Sequence, residues 1–308
     1  MDKKRGILLV LLTAIISGFS IFINKLGVQG IDPYIFTFLK NTLVAVFLFS
    51  IIILAYQYKK LKQLKLKQWF QLALVGLLGG SIPFLLFFKG LTLTSGATGA
   101  FIHKIMFVFV AILAITFLKE KLNKALFIAA ILLLTGNLLL LKLTALTFTS
   151  GELLILIATL FWAAEFTFSK HLLKNIEPNL VAFGRMFFGS IFIIAFLATT
   201  SKLTLITTLT LNQFSWILIT AVFLLLYVFT WYNGLKHVKV TTATCILLLG
   251  SPITTILSAI FLQTTITFTQ ILGITLISAG VIITIYFLEA ISAAYPKWIK
   301  TKSPIKAS

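Results

Sequence analysis

Long apolar stretches alternate with short polar segments along the whole chain, and ten of these stretches are long enough to cross a membrane. A helix needs about 20 apolar residues to cross a hydrocarbon layer about 30 Å thick. In lipid, only helices satisfy every backbone group when a chain has no alternating strands. We therefore predict an all-α polytopic membrane protein of ten transmembrane helices with no separate soluble domain. The predicted spans are roughly residues 6–26, 33–55, 69–88, 97–117, 124–141, 151–172, 178–198, 213–234, 240–262 and 268–289.

The second half of the chain repeats the first. A shift of 145 positions aligns Lys25 with Lys170, Asp32-Pro33 with Glu177-Pro178, Phe38 with Phe183 and Lys40 with Arg185. Later the shift becomes 144 and aligns Gly90-Leu91 with Gly234-Leu235 and Gly136 with Gly280. Because each copy has an odd number of spans, the copies run through the membrane in opposite senses, as in many secondary transporters. We predict two inverted five-helix repeats, residues 1–145 and 146–290, followed by a basic cytoplasmic tail, residues 291–308.

The charge distribution agrees with a membrane protein and argues against a nucleic-acid partner. Hydrophobic residues make up 59% of the 308 residues, charged residues make up 11%, and the formal net charge is +19. With both termini in the cytoplasm, most basic residues lie inside, and the outer side has only Lys25, Lys89, Lys142 and Lys202. We predict an integral protein of the cell membrane. Its expected partners are membrane lipid and a small-molecule substrate, and a homodimer is compatible with this pattern.

Several short motifs recur in the same order in both halves. The first half has Ser17-Gly18-Phe19, Asn24-Lys25-Leu26, Asp32-Pro33, Phe38-Leu39-Lys40, Gly90-Leu91, Thr94-Ser95-Gly96-Ala97 and Phe117-Leu118-Lys119-Glu120-Lys121-Leu122. The second half has Trp162, Lys170, Arg185, Asn233-Gly234-Leu235-Lys236-His237-Val238 and Ser251-Pro252-Ile253. Nearly the whole chain thereby resembles EamA-domain transporters of the drug/metabolite transporter superfamily. The resemblance implies a ten-helix carrier whose central cavity opens alternately to each side, for substrates as diverse as amino acids, nucleosides, sugar phosphates and drugs.

The two halves differ at two of the matched positions. Val108 stands where the second half has Pro252, and Thr264 stands where the first half has Glu120. A proline inside a span frees a backbone carbonyl. We therefore expect Pro83 and Pro252 to bend or hinge helices 3 and 9.

Two lysines at membrane depth are the main candidates for substrate binding. Lys40 and Lys104 each lie about seven residues, or roughly 10 Å, below the outer end of their spans. Neither has an acidic partner at that depth, and a buried charge is costly unless it is paired or functional. We interpret both as ligands for a carboxylate or phosphate, and snorkelling of the side chains toward the outer surface is the alternative.

Glu165 and Arg185 lie at the corresponding inner depth of helices 6 and 7. The simplest interpretation is a salt bridge that joins the two helices. A role as a coupling or gating pair is the alternative.

Four other side chains complete the candidate site. His103 is either a satisfied interior histidine or part of a proton relay, because histidine titrates near neutral pH. Trp162 lies near the midplane, where it packs inside the bundle or, with Phe19, walls the apolar part of an amino-acid-like ligand. Tyr227 is a further candidate for substrate contact.

Other function classes find less support. The chain has three histidines, one cysteine and no Asp within a span, so we predict no catalytic residue, metal site or cofactor, and no enzyme. An exporter of drugs or cations of the small-multidrug type needs a free carboxylate, and Glu165 is expected to be neutralised by Arg185. A flippase for lipid-linked molecules is the other alternative to a secondary carrier of a small carboxylate- or phosphate-bearing metabolite.

Overall fold

The protein is helical throughout the part of the chain that the structure describes. This structure, a computed structural model, describes residues 2–27, 30–94, 96–121, 124–141 and 149–300. No strand occurs in these residues. The predicted boundary between the halves, at residue 145, and the end of the predicted tail lie outside the described residues.

Ten helices correspond to the ten predicted spans, and we number them in chain order. They are helix 1, Asp2–Gly27; helix 2, Pro33–Leu54; helix 3, Leu66–Leu91; helix 4, Gly96–Lys104 with Met106–Leu118; helix 5, Lys124–Leu140; helix 6, Ser150–Leu172; helix 7, Pro178–Thr199; helix 8, Leu211–Leu235; helix 9, Val240–Leu247 with Gly250–Leu262; and helix 10, Phe268–Lys300. A short helix, Tyr58–Lys62, connects helices 2 and 3. Helix 10 runs past its predicted end at residue 289, so the first part of the predicted tail is helical.

The lengths of the helices suit a membrane. Within the described residues, nine helices are long and apolar enough to cross it. Helix 5, with 17 residues, is close to the lower limit of about 17 residues for a transmembrane helix. The predicted all-α polytopic membrane architecture is confirmed.

The two halves run in opposite directions through the bundle. Gly6, near the start of helix 1, packs against Gly234 at the end of helix 8. Lys170, near the end of helix 6, donates hydrogen bonds to the carbonyls of Leu235 and Lys236 at that same end. Helix 1 therefore begins on the face where helix 6, its counterpart, ends. We call this the amino-terminal face and the other the opposite face.

The packing of the helices is symmetric between the halves. Helix 1 packs on helices 8 and 9, and helix 6 correspondingly packs on helices 3 and 4. Helices 2 and 7 pack on each other, as do helices 5 and 10. This exchange of neighbours is the arrangement expected for inverted repeats.

Glycines allow the closest approaches between the halves. A Cβ atom on Gly90 of helix 3 would lie 2.8 Å from the carbonyl oxygen of Gly151 in helix 6. The symmetric contact is between helices 8 and 1, where a Cβ on Gly234 would lie 3.1 Å from the carbonyl oxygen of Gly6. Small residues at such crossings let helix backbones pack closely in a membrane.

Helices 4 and 9 are interrupted at symmetric positions. Helix 9 breaks at Leu248 and Leu249, just before Pro252, which lacks an N–H for the Leu248 carbonyl. That carbonyl accepts instead from the Ser251 N–H, over 3.0 Å. Helix 4 breaks at Ile105 although it contains no proline. Both halves therefore have the same interruption, and a proline lies next to it only in helix 9.

Candidate functional site

A π-helical segment in the middle of helix 3 is the centre of the polar site. It covers Gly76–Ser81 and ends shortly before Pro83. Because proline has no N–H, the carbonyl four residues earlier, that of Gly79, lacks its usual helical donor. Two side chains of the second half donate to it, Trp162 through Nε1 and Arg185 through Nη2, each over 3.1 Å. Such segments are frequent at functional sites, and this one joins the two halves.

Arg185 and Glu165 form a buried ion pair between helices 7 and 6. Arg185 Nη1 lies 3.4 Å from Glu165 Oε2, and the side chains are 6% and 0% exposed. Tyr232 of helix 8 donates its hydroxyl to Glu165 Oε1 over 2.7 Å and accepts from Arg185 Nη1 over 3.3 Å. Ser169 donates to the same Oε1 over 2.5 Å. The carboxylate is therefore neutralised and enclosed by groups of the protein.

Glycines in helix 3 make room for this pair. A Cβ atom on Gly79 would lie 2.5 Å from Glu165 Cγ, and one on Gly80 would collide with the Arg185 carbonyl. Asn41 of helix 2 donates its Nδ2 to the Gly80 carbonyl over 3.0 Å. Helix 3 thus bridges helices 2, 6 and 7 through its backbone.

His103 lies in an aromatic cluster next to Trp162. The centroids of these two rings are 4.8 Å apart, and Phe87 lies 5.5 Å from His103 and 5.4 Å from Trp162. The His103 Nδ1 atom is buried and has no hydrogen-bond partner among the described residues. A buried polar atom without a partner is costly, so a ligand or water that paired with it would stabilise this arrangement.

Lys40 and Lys104 have different surroundings. Lys40 is 7% exposed, donates from Nζ to Asn24 Oδ1 over 3.1 Å, and lies over the Phe36 ring at 4.7 Å. Lys104 is half-buried at the end of the first segment of helix 4. Within the described part of the chain, no ion pair reaches either lysine. Helix 2 packs mainly on helices 7 and 8, and helix 4 packs on helices 6 and 9.

The two remaining aromatic candidates have different surroundings. Phe19 is 39% exposed on helix 1, and no ring contact joins it to Trp162 in the described residues. The Tyr227 ring stacks on Trp231 at 6.4 Å, and Trp231 packs on Phe166 at 4.5 Å. Because the Arg185 guanidinium lies 5.9 Å from the Phe166 ring, Tyr227 flanks the arginine cluster.

Carboxylates join several segments on the amino-terminal face. Glu177, which precedes helix 7, contacts Lys60 at 2.6 Å and Lys236 at 3.2 Å. The hydrogen bond from Lys60, followed by that from Lys236, lowers the pKa of Glu177 below its usual value. The network connects the segments after helices 2, 6 and 8.

Glu120 joins helix 4 to helix 9 on this face. Its Oε1 accepts from the Val240 N–H over 2.9 Å, and its Oε2 accepts from the Thr241 hydroxyl over 2.7 Å. Lys239 donates to the Lys121 carbonyl over 2.9 Å. A carboxylate at the start of a helix satisfies free N–H groups and interacts favourably with the helix dipole.

The opposite face has a different set of contacts. Asp32 caps helix 2 and contacts Lys202 at 2.5 Å, which mirrors the contact of Glu177 with Lys60. Glu152 accepts hydrogen bonds from the hydroxyls of Thr94 and Thr149. Thr264, the counterpart of Glu120, makes no hydrogen bond to helix 4 in the described residues.

Comparison with known proteins decides the family. The sequence model of the EamA-like transporter family matches residues 4–142 and again residues 149–286. The chain belongs to the EamA-like transporter family. Each match covers almost one half of this EamA-like transporter.

Relatives and a solved structure agree with that assignment. An uncharacterized transporter of Clostridium kluyveri is 28% identical over 301 residues, which cover 91% of this chain and 93% of the relative. An uncharacterized transporter of Sinorhizobium is 30% identical over 130 residues, which cover 42% of this chain and 92% of the relative. A crystal structure with a TM-score of 0.77 and 13% identity covers 92% of this chain and 97% of its own, and it supports the fold alone.

The EamA-like transporter is therefore an integral membrane protein of a transporter family, not of an enzyme family. Among the described residues, no three His, Cys, Asp or Glu side chains are grouped as metal ligands. Sequence reasoning selected Glu165, Arg185 and Trp162 but missed Tyr232 and the Gly79 carbonyl. The position of Pro83 is the signal that identifies this carbonyl, whereas no sequence pattern indicates Tyr232.

Proposed function

We propose that this transporter is a secondary carrier of a small metabolite with a carboxylate or phosphate group, and that it works by alternating access between its two halves. The observation that carries the proposal is the charge imbalance at membrane depth. Lys40, Lys104 and Arg185 are basic, and Glu165 is engaged with Arg185. The two lysines have no ion-pair partner among the described residues, so an anionic substrate supplies the missing charge in one state of the cycle.

The state of Glu165 favours an anion carrier over an exporter of cations or drugs. A cation exporter needs a carboxylate that is available to the substrate. Glu165 is 0% exposed and contacts Arg185, Tyr232 and Ser169. The site therefore has positive charge to offer and no free negative charge.

The expected orientation places the amino-terminal face in the cytoplasm of a cell-membrane carrier. Lys60, Lys236 and Lys239 lie on this face, as the preference of basic residues for the cytoplasmic side requires. Labelling from outside intact cells of a cysteine introduced within residues 59–67 would contradict this orientation.

The proposed function is tested by ligand stabilisation followed by transport. Purified protein is screened by thermal unfolding against anionic, neutral and cationic small molecules, because a ligand that binds the folded state raises its apparent stability. An anionic metabolite should stabilise the protein and enter proteoliposomes. Stabilisation by cations alone would contradict the proposal.

Lys104 provides the matched test of the positive charge. Lys104→Gln should weaken ligand binding by about tenfold or more, equivalent to about 1.4 kcal/mol, whereas Lys104→Arg keeps the charge and should bind more tightly than Lys104→Gln. If Lys104→Gln transports as well as wild type at low substrate concentration, Lys104 does not hold the anion.

A further inference from the structure

Two clusters related by the internal repeat have the same design and different charges. The offset of 145 residues places Lys40 on Arg185, Ser20 on Glu165, and Asn24 on Ser169. In each half, one basic side chain on helix 2 or 7 faces two polar residues, four positions apart, on helix 1 or 6. Residues four apart lie on one face of a helix, so each pair presents its polar groups together.

The second-half cluster is buried and contains its own counter-charge. Arg185 contacts the Glu165 carboxylate at 3.4 Å, and Ser169 donates to that carboxylate over 2.5 Å. Glu165 and Ser169 are both 0% exposed. The positive charge on helix 7 is therefore neutralised inside the protein.

The first-half cluster joins the corresponding positions without a carboxylate, and its basic group bonds to Asn24, the counterpart of Ser169, not to Ser20, the counterpart of Glu165. Lys40 Nζ donates to Asn24 Oδ1 over 3.1 Å. Asn24 Nδ2 donates to the Ser20 hydroxyl over 3.0 Å. A neutral serine occupies the position that corresponds to the glutamate, and both Ser20 and Asn24 are half-buried rather than fully enclosed.

The consequence is a buried basic group that has no counter-charge among the described residues, unlike its counterpart Arg185. Lys40 is 7% exposed and no ion pair reaches it in the described part of the chain. An ammonium group has three donors, and Asn24 accepts from only one of them. The serine side chain is also shorter than that of glutamate and brings no carboxylate of its own to Lys40.

We propose that Lys40, Asn24 and Ser20 form the subsite for the carboxylate of the substrate, which takes the position that the Glu165 carboxylate takes in the other half. This subsite rests on the proposed function and makes it more specific. It selects a carboxylate over a phosphate as the anionic group of the substrate, and Lys40 as the main residue that binds this group. Asn24 and Ser20 are the residues that set this specificity.

The experiment supplies the missing carboxylate from the protein itself. In Ser20→Glu, the new carboxylate should pair with Lys40 and compete with the substrate. Ser20→Gln has nearly the same size and no charge, so the difference between these two variants separates the effect of charge from that of filling the subsite. The probes are L-amino acids, the corresponding amino-acid amides, which lack the carboxylate, and phosphate esters, in thermal-shift titrations of the purified full chain. Asn24→Asp is a second, nearly isosteric way to place a carboxylate beside Lys40 if Ser20→Glu does not fold.

The expected result is a selective loss. Wild type should bind at least one amino acid and not its amide. Ser20→Glu or Asn24→Asp should bind that amino acid at least about tenfold more weakly, and Ser20→Gln should weaken its binding less than Ser20→Glu does. Removal of the competing pair in Ser20→Glu with Lys40→Gln should not restore binding, because the ligand for the anion is then absent.

Three results would overturn the inference, and they separate it from the broader proposal. If phosphate esters alone stabilise wild type, the carboxylate assignment is wrong while the anion carrier stands. If amino acids bind to Ser20→Glu and Asn24→Asp as tightly as to wild type, the subsite lies elsewhere. If no anionic compound in the panel or in the wider screen stabilises wild type, the proposed function fails together with this subsite.

Discussion

The two faces of the bundle are related by the repeat, yet different chemistry joins their helices. On the amino-terminal face, Glu120 caps helix 9 and Glu177 bridges two lysines. The buried Glu165–Arg185 pair lies in the half of the bundle nearer to this face. On the opposite face, Thr264 and Ser20 replace Glu120 and Glu165. Both ends have carboxylate contacts, because Asp32 and Glu152 lie on the opposite face. In the described residues, a carboxylate joins helix 4 to helix 9 on the amino-terminal face, and its counterpart Thr264 makes no such contact on the opposite face.

This difference bears on the contact between helices 4 and 9. Helices 4 and 9 pack on each other through the second segment of helix 4 and the first segment of helix 9, both toward the amino-terminal face. In the proposed alternating-access cycle, in which one side opens as the other closes, we expect Glu120 to stabilise the conformation that is closed on the amino-terminal face.

The largest expected effect comes from breaking the buried pair. Glu165→Gln and Arg185→Gln should each destabilise the protein by about 3–5 kcal/mol, because each leaves an uncompensated buried charge. The double variant should recover much of that loss. In contrast, Lys40→Gln in the other half should cost about 1 kcal/mol, because it removes a single hydrogen bond.

The stabilities of these four variants are compared by unfolding each purified protein in the same mild detergent. Losses that add in the double variant would mean that Glu165 and Arg185 do not interact energetically. An equal loss for Lys40→Gln would contradict the asymmetry between the halves.

A smaller effect is expected from the cap on helix 9. Glu120→Gln should cost about 1 kcal/mol, since side-chain caps typically contribute about 0.5–2 kcal/mol. Release of helix 9 should also raise the rate of thiol labelling at Cys245, which is buried and free. Thr264→Val, at the exposed counterpart position, is the control and should change stability by less than about 0.5 kcal/mol. Unchanged labelling of Cys245 in Glu120→Gln would show that the cap does not hold this face closed.

The smallest effect is expected from the exposed carboxylate network. Lys60→Gln should cost at most about 1 kcal/mol, as is typical of surface ion pairs, and Lys59→Gln should cost nothing, because Lys59 forms no ion pair in the described residues. The difference in stability between wild type and Glu177→Gln gives a pH test. Since the pKa of Glu177 is lowered in the folded state, its contribution is present above the unfolded value of about 4.3 and is lost as the pH falls through the folded value. A contribution that grows in acid would contradict this network.

Part of the site could be read from the residues alone. The scarcity of charge at membrane depth selected Lys40, Lys104, Glu165 and Arg185, because a charge in lipid is retained only where it is paired or used. Their partners could not be predicted. Tyr232 is far from Glu165 in the chain, and an apolar helix gives no sign of which side chain reaches a neighbour.

The sequence by itself determined the helices, their number and the pairing of the two halves. Backbone groups in lipid must bond within their own helix, so apolar length is enough to define a span. An odd number of spans per copy is enough to define the inversion. Only the tertiary structure decided the break at Ile105, which has no proline, and the meeting of Trp162 and Arg185 on the Gly79 carbonyl. These features depend on close approach between helices, and such packing is a property of neighbours that no single stretch of sequence specifies.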